Sequence, residues 1–151
     1  MVLKSKAFQN GGRIPKVHTC DGKHASPPLA WSDTPKGVKT YALICDDPDA
    51  PGRVWVHWVV FNIPAAVTEL PENMLKTRIL PNGACQGVNT SRGIGYEGPC
   101  PPSGTHRYYF KLYALDAELP LEPGCTKEDV LKAMEGHVLE EAQLMGTYAR
   151  T

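Results

Sequence analysis

The stretch Cys45–Pro64, CDDPDAPGRVWVHWVVFNIP, decides how this chain is read. Its first part sets Asp46, Asp47 and Asp49 around Pro48 and before Pro51, a composition that favours a stiff turn. Its second part, Val54 to Ile63, is an apolar run carrying one histidine, His57, between Trp55 and Trp58. That part predicts a strand. Simple alternation puts Val54, Val56, Trp58 and Val60 on one face and Trp55, His57, Val59 and Phe61 on the other. The question it raises is why carboxylates stand on a turn beside a strand histidine.

Two further strands flank this unit. Upstream, Val38 to Cys45 ends in the unbroken apolar run Tyr41-Ala42-Leu43-Ile44-Cys45, which predicts burial on both faces. Downstream, THRYYFKLYALD (Thr105–Asp116) alternates, with His106, Tyr108, Phe110, Leu112 and Ala114 on one face. Arg107, Tyr109, Lys111 and Tyr113 fall on the other. Near the C-terminus, CTKEDVLKAMEGHVLEEAQLMG predicts a helix. Thr126 is its N-cap, with Asp129 three residues on. Leu131, Met134, Val138, Ala142 and Met145 follow at helical spacing, and Gly146 reads as its stop.

Composition sets the frame. The 151 residues suit one domain with its own core. The 14 glycines and 14 prolines exceed the roughly 11 and 8 of average usage, which fits strands joined by structured loops. Sixteen basic and 16 acidic residues cancel, so bulk charge recruits neither nucleic acid nor an acidic membrane surface. No apolar run reaches the ~20 residues of a membrane span. The first residues contain no apolar signal-peptide core, so a cytoplasmic protein is expected. Five cysteines with no CxxC spacing read as free thiols in a reducing compartment and give no zinc site.

GIGYEG (Gly93–Gly98) matches a dinucleotide-binding pattern by letter only. Pro99, Pro101 and Pro102 follow it, where that motif needs a helix to open. No nucleophile elbow, phosphate-binding loop or HExxH motif is present.

The remaining candidates are Asp47, Asp49, His57, His106 and Tyr108. Singly, each histidine reads as a packed side chain and each aspartate as a turn former. Together at one sheet end they define chemistry. A carboxylate touching an imidazole favours the protonated ring. Two such rings with a tyrosine hydroxyl suit an anion such as phosphate. The same set could hold a metal or act as an acid/base pair.

DPDAP (Asp47–Pro51), VWVHWVVFNIP (Val54–Pro64), YEGPCPPSGTHRYYFKLYALD (Tyr96–Asp116) and SPPLAW (Ser26–Trp31) resemble the phosphatidylethanolamine-binding protein family. The short chain and its HVLEEAQLMGTYAR ending resemble the bacterial and archaeal, Raf-kinase-inhibitor-like branch. The resemblance implies a mainly β fold: a large antiparallel sheet packed with a smaller one, plus peripheral and C-terminal helices. It implies an anion pocket for phosphate-type or phosphoethanolamine-like headgroups at one end of the sheet. Carried onto this chain, its residues are Asp47, Trp55, His57, Gly98, Pro102, His106 and Tyr108, with Asp47 set against His57 and Asp49 bracing the loop. A binding or regulatory protein without cofactor follows; inhibition of a protease or kinase, or acid/base catalysis, are the alternatives. An exposed strand edge would permit a homodimer. The Gly52-Arg53 linker and the PPSGTHRY loop are shorter than in animal members, and no residue is carried over from their C-terminal helix.

Overall fold

A computed structural model describes residues 1–150 of the chain. Its centre is three long antiparallel strands: β3 (Thr40–Asp47), β4 (Trp55–Pro64) and β7 (His106–Leu115). A two-residue β6 (Cys85–Gln86) and the 11-residue β8 (Val138–Tyr148) complete a five-stranded sheet in the order β6-β4-β3-β7-β8. A three-stranded sheet, β1 (Val2–Lys4), β2 (Leu29–Ser32) and β5 (Glu69–Leu70), is ordered β1-β2-β5. The expected large-plus-small antiparallel architecture is therefore present.

The large sheet is covered on both faces. On one, Tyr41, Leu43, Trp58, Val60, Tyr108, Phe110 and Leu112 meet Leu3, Leu29, Trp31 and Leu70 of the small sheet. On the other, Ala42, Ile44, Val59 and Phe61 meet Val130 and Met134 of the helix α1 (Lys127–Met134). Double coverage explains the continuous apolar run of β3, whose eight residues are all buried. Each large apolar side chain so enclosed contributes roughly 1.5–3 kcal/mol. The face predicted for His106, Tyr108, Phe110, Leu112 and Ala114 is buried as expected.

β4 departs from simple alternation. Cys45 pairs with Trp58 but Asp46 pairs with Val56, so His57 is an extra residue. This bulge puts Val56 with Val59 and Phe61 in one core, while Trp58 and Val60 lie in the other. The expected grouping of Val56 with Trp58 is corrected accordingly. His57 now shares the face of Trp58, with its ring centroid 5.3 Å from that of Tyr108.

The C-terminal reading also needs correction. The helix begins as predicted, with Thr126 and Asp129 forming a reciprocal capping box, but it ends at Met134. Gly136, at φ 80°, breaks the path. Residues 138–148 then pair with β7 along its whole length, from Leu115–Val138 to His106–Tyr148. Gly146 is no helix stop. It is a strand glycine whose absent Cβ would fall 2.6 Å from Ile14 Cγ1 and 2.8 Å from Phe8 Cε2. Helix-favouring letters lost here to ten cross-strand pairs and a period-two burial of Leu144, Gly146 and Tyr148.

The cysteines need correction as well. Cys20 and Cys100, 80 residues apart, form a disulfide with Cα atoms 5.4 Å apart. Cys45, Cys85 and Cys125 are free. Spacing could not reveal a pair closed by the fold, and the step from five free thiols to a reducing compartment lapses. Among the described residues no helix is long and apolar enough to cross a membrane.

Candidate functional site

Antiparallel order places the end of β3 beside the starts of β4 and β7. Asp47 closes β3 and pairs with Trp55, the first residue of β4, while His106 opens β7. A cavity of about 340 Å³ lies at this end of the sheet. Asp47, Trp55, His57, Gly98, Pro102, His106 and Tyr108 all line it. The residues nominated from sequence are thus brought together.

Their partners differ from expectation. Asp47 contacts His106, not His57: Asp47 Oδ2 accepts from His106 Nδ1–H at 2.7 Å. Asp47 Oδ1 accepts from the Asp49 backbone N–H, also at 2.7 Å. Both carboxylate oxygens are committed inside the protein, and Asp47 and His106 are only 3% and 7% exposed. Asp49 braces the loop: Arg107 donates Nε–H and Nη2–H to its two oxygens at 2.9 and 2.8 Å. This fork holds the Asp49 carboxyl down at about 2.

His57 is fixed by backbone. Its Nδ1–H donates to the Glu97 carbonyl at 2.7 Å, and its own carbonyl accepts from Glu97 N–H at 2.9 Å. Burial lowers its pKa, against the weaker raising effect of that bond and of nearby carboxylates. A raised imidazole is expected only for a ring touching Asp47; His57 does not touch it, and burial sets the direction of its shift. With Nδ1 carrying the proton, neutral His57 leaves a lone pair on Nε2.

Tyr108 stands beside both histidines, its ring stacked 6.4 Å from His106. Its hydroxyl is buried and has no hydrogen-bond partner. Burial, then the Asp47 charge, pushes its pKa far up, so the group stays an O–H donor. Among the described residues, neither His57 Nε2 nor His106 Nε2 takes a protein partner. The Tyr108 hydroxyl and the two Nε2 atoms are thus free of protein partners at the cavity. Among the described residues, no three His, Cys, Asp or Glu side chains converge as metal ligands.

The far wall is Tyr96–Pro102, sewn to the segment 18–24. Tyr96 Oη–H donates to the His18 carbonyl at 2.7 Å, Cys20 N–H to the Pro99 carbonyl at 3.0 Å, and Gly98 N–H to His24 Nδ1 at 3.0 Å. Gly98 is required by close approach: a Cβ there would lie 2.4 Å from the His18 carbonyl oxygen. Sequence reasoning missed Glu97 and Ser91, which also line the cavity, while Cys100 lies in the loop expected to form its wall. Glu97 holds His57 through its backbone, so its side-chain identity carries no signal. Its carboxylate accepts from Ser91 Oγ–H at 2.6 Å.

The family model for phosphatidylethanolamine-binding protein matches residues 4–149. A UPF0098 protein of Methanothermobacter thermautotrophicus is 61% identical over 150 residues, covering 99% of each chain. The crystal structure of a phosphatidylethanolamine-binding protein homologue from Chlamydia trachomatis superposes with a TM-score of 0.92 at 45% identity, covering 99% of this chain and 97% of that one. Escherichia coli YbcL, described as a member of the mammalian family, gives a TM-score of 0.90 at 34% identity, covering 99% and 98%. With fold, motifs and cavity in agreement, the chain belongs to the phosphatidylethanolamine-binding protein family.

Proposed function

We propose that the chain is a binding protein whose cavity takes a phosphate-type anion, bare or as a phosphoethanolamine-like headgroup. The observation that carries this reading is the Tyr108 hydroxyl, a buried donor with no partner inside the protein. A buried polar group left unpaired costs about 1–3 kcal/mol, and an oxyanion would recover it. The two imidazole Nε2 atoms supply the rest once protonated, because each Nδ1–H is already engaged. A volume near 340 Å³ suits a small headgroup.

The carboxylates take different roles in this reading. Asp47 is spent on His106 and the Asp49 amide, so it orients an imidazole. Glu97 is half-exposed and bonded only to Ser91 Oγ, so it is placed to meet an amine on the ligand. Phosphoethanolamine should therefore bind more tightly than inorganic phosphate, and Glu97→Gln should remove the difference. Calorimetric titration of both ligands into the wild-type chain and the Glu97→Gln variant tests this. Binding of neither ligand at millimolar concentration would overturn the reading.

A further inference from the structure

The Cys20–Cys100 disulfide lies at the cavity, and that position has a consequence. Cys100 is exposed and lines the cavity, while Cys20 is half-buried. The bond joins the wall to the segment that already backs it. The inner wall, Tyr96 to Pro99, has its own hydrogen bonds to residues 18–24. The outer wall does not. Pro101 and Pro102 line the cavity, and β7 begins only at His106. No hydrogen bond among the described residues ties 101–105 to the rest of the chain. The outer wall is held at one end by β7 and at the other by the disulfide, with the Cys20 N–H to Pro99 carbonyl bond just before it.

We propose that the Cys20–Cys100 pair is a thiol–disulfide exchange site that sets the affinity of the anion cavity, an inference that rests on the anion-binding reading above. The co-reactant is a dithiol reductant. One of its thiolates attacks Cys100 Sγ, the sulfur of the more exposed cysteine, and a mixed disulfide forms. The Cys20–Cys100 bond breaks, and Cys20 Sγ leaves with the electron pair and takes a proton. The second thiolate then attacks the mixed disulfide at the reductant's own sulfur. Cys100 is released as a thiol, the reductant becomes a disulfide, and two electrons have passed to the protein. The outer wall loses its covalent tether beyond Pro99, and a ligand must then order Cys100–Thr105 on binding. Fixing even one or two residues at that step weakens affinity by roughly tenfold.

The test uses the full chain, oxidised and after dithiothreitol. Thiols trapped after denaturation should rise from three to five, since Cys45, Cys85 and Cys125 are already free. Inorganic phosphate should bind roughly tenfold more weakly to the reduced chain. Backbone 15N order parameters should fall at Cys100, Ser103, Gly104 and Thr105 and stay high at Tyr96 and Gly98. The variant carrying Cys20→Ser and Cys100→Ser should match the reduced state; if that variant does not melt cooperatively, the reduced wild-type chain carries the comparison. Equal affinity in both states, or a disulfide that resists dithiothreitol until the chain unfolds, would overturn the proposal. If the oxidised chain binds no phosphate, the anion-binding reading fails. The tether is then judged by the order parameters alone, and unchanged values at 103–105 would overturn it too.

Discussion

Asp47 and His106 are joined by a 2.7 Å hydrogen bond between buried side chains, Oδ2 accepting from Nδ1–H. The bond aligns the imidazole and leaves Nε2 as its only free polar atom. Replacing the carboxylate by an amide removes the charged acceptor that holds the ring in place. Asp47→Asn should therefore weaken phosphate binding by roughly tenfold or more while the chain still melts cooperatively. Calorimetry with a thermal melt checks both parts. Loss of the cooperative melt would show that the pair serves the fold alone.

Tyr108→Phe separates binding from stability more cleanly. The hydroxyl has no internal partner, so its removal should not lower stability and should raise it by up to about 1–3 kcal/mol. A hydrogen bond to a charged ligand is worth about 1.5–3 kcal/mol, so phosphate affinity should fall roughly tenfold or more. Denaturant unfolding and ligand titration on one preparation give both numbers.

The pH dependence follows from His57. Its Nδ1–H is spent on the Glu97 carbonyl, so it can donate to an anion only after Nε2 takes a proton. Burial opposes that proton in the free protein. Affinity for sulfate, which does not titrate near neutrality, should rise as pH falls below about 7, by at most about tenfold per unit for one proton. His57→Gln should flatten that slope. Stability of the free protein should move the other way. The unfolded chain takes the proton near 6.5 and the folded one resists it, so stability present above that pH is lost as pH falls.

Asp49 predicts a second, more acidic step. Its folded value of about 2 lies below the ordinary value near 3.9, chiefly because of the Arg107 fork. The stability it contributes is complete above about 4 and disappears as pH falls through about 2. Both side chains are partly exposed, so the step is small. Asp49→Asn melts recorded across that window should lack it.

Gly98→Ala tests the far wall. The new Cβ would press on the backbone of His18 and Thr19, at 2.4 Å from the His18 carbonyl oxygen and 2.7 Å from Thr19 Cα. Neither can rotate away, so a loss of about 1–3 kcal/mol is expected, together with weaker phosphate binding. A neutral outcome in urea unfolding would mean that the wall yields easily.

Much of this was readable from letters alone, for physical reasons. TYALIC and HRYYFKLYAL announce β3 and β7 because burial there obeys the strand period or covers both faces. The strand VWVHWVVFNIP was equally legible, but its bulge was not. A bulge is a register property of two strands, and it decides that His57 meets Glu97 while His106 meets Asp47. VLEEAQLMGTY hid β8 because Leu, Glu, Ala, Gln and Met favour helix, and only the partner β7 overrides them. The disulfide joins residues 80 apart, and Glu97 acts through its carbonyl. Neither leaves a local mark.

The central claim is that Asp47, His57, His106 and Tyr108 form one anion site. The most direct measurement is a titration of isotope-labelled protein with inorganic phosphate and with phosphoethanolamine, following amide and histidine ring resonances. The account predicts saturable shifts centred on His57, His106, Tyr108 and Asp47, with phosphoethanolamine also moving Glu97. Absence of shifts at millimolar ligand, or shifts confined to surfaces away from the cavity, would contradict it.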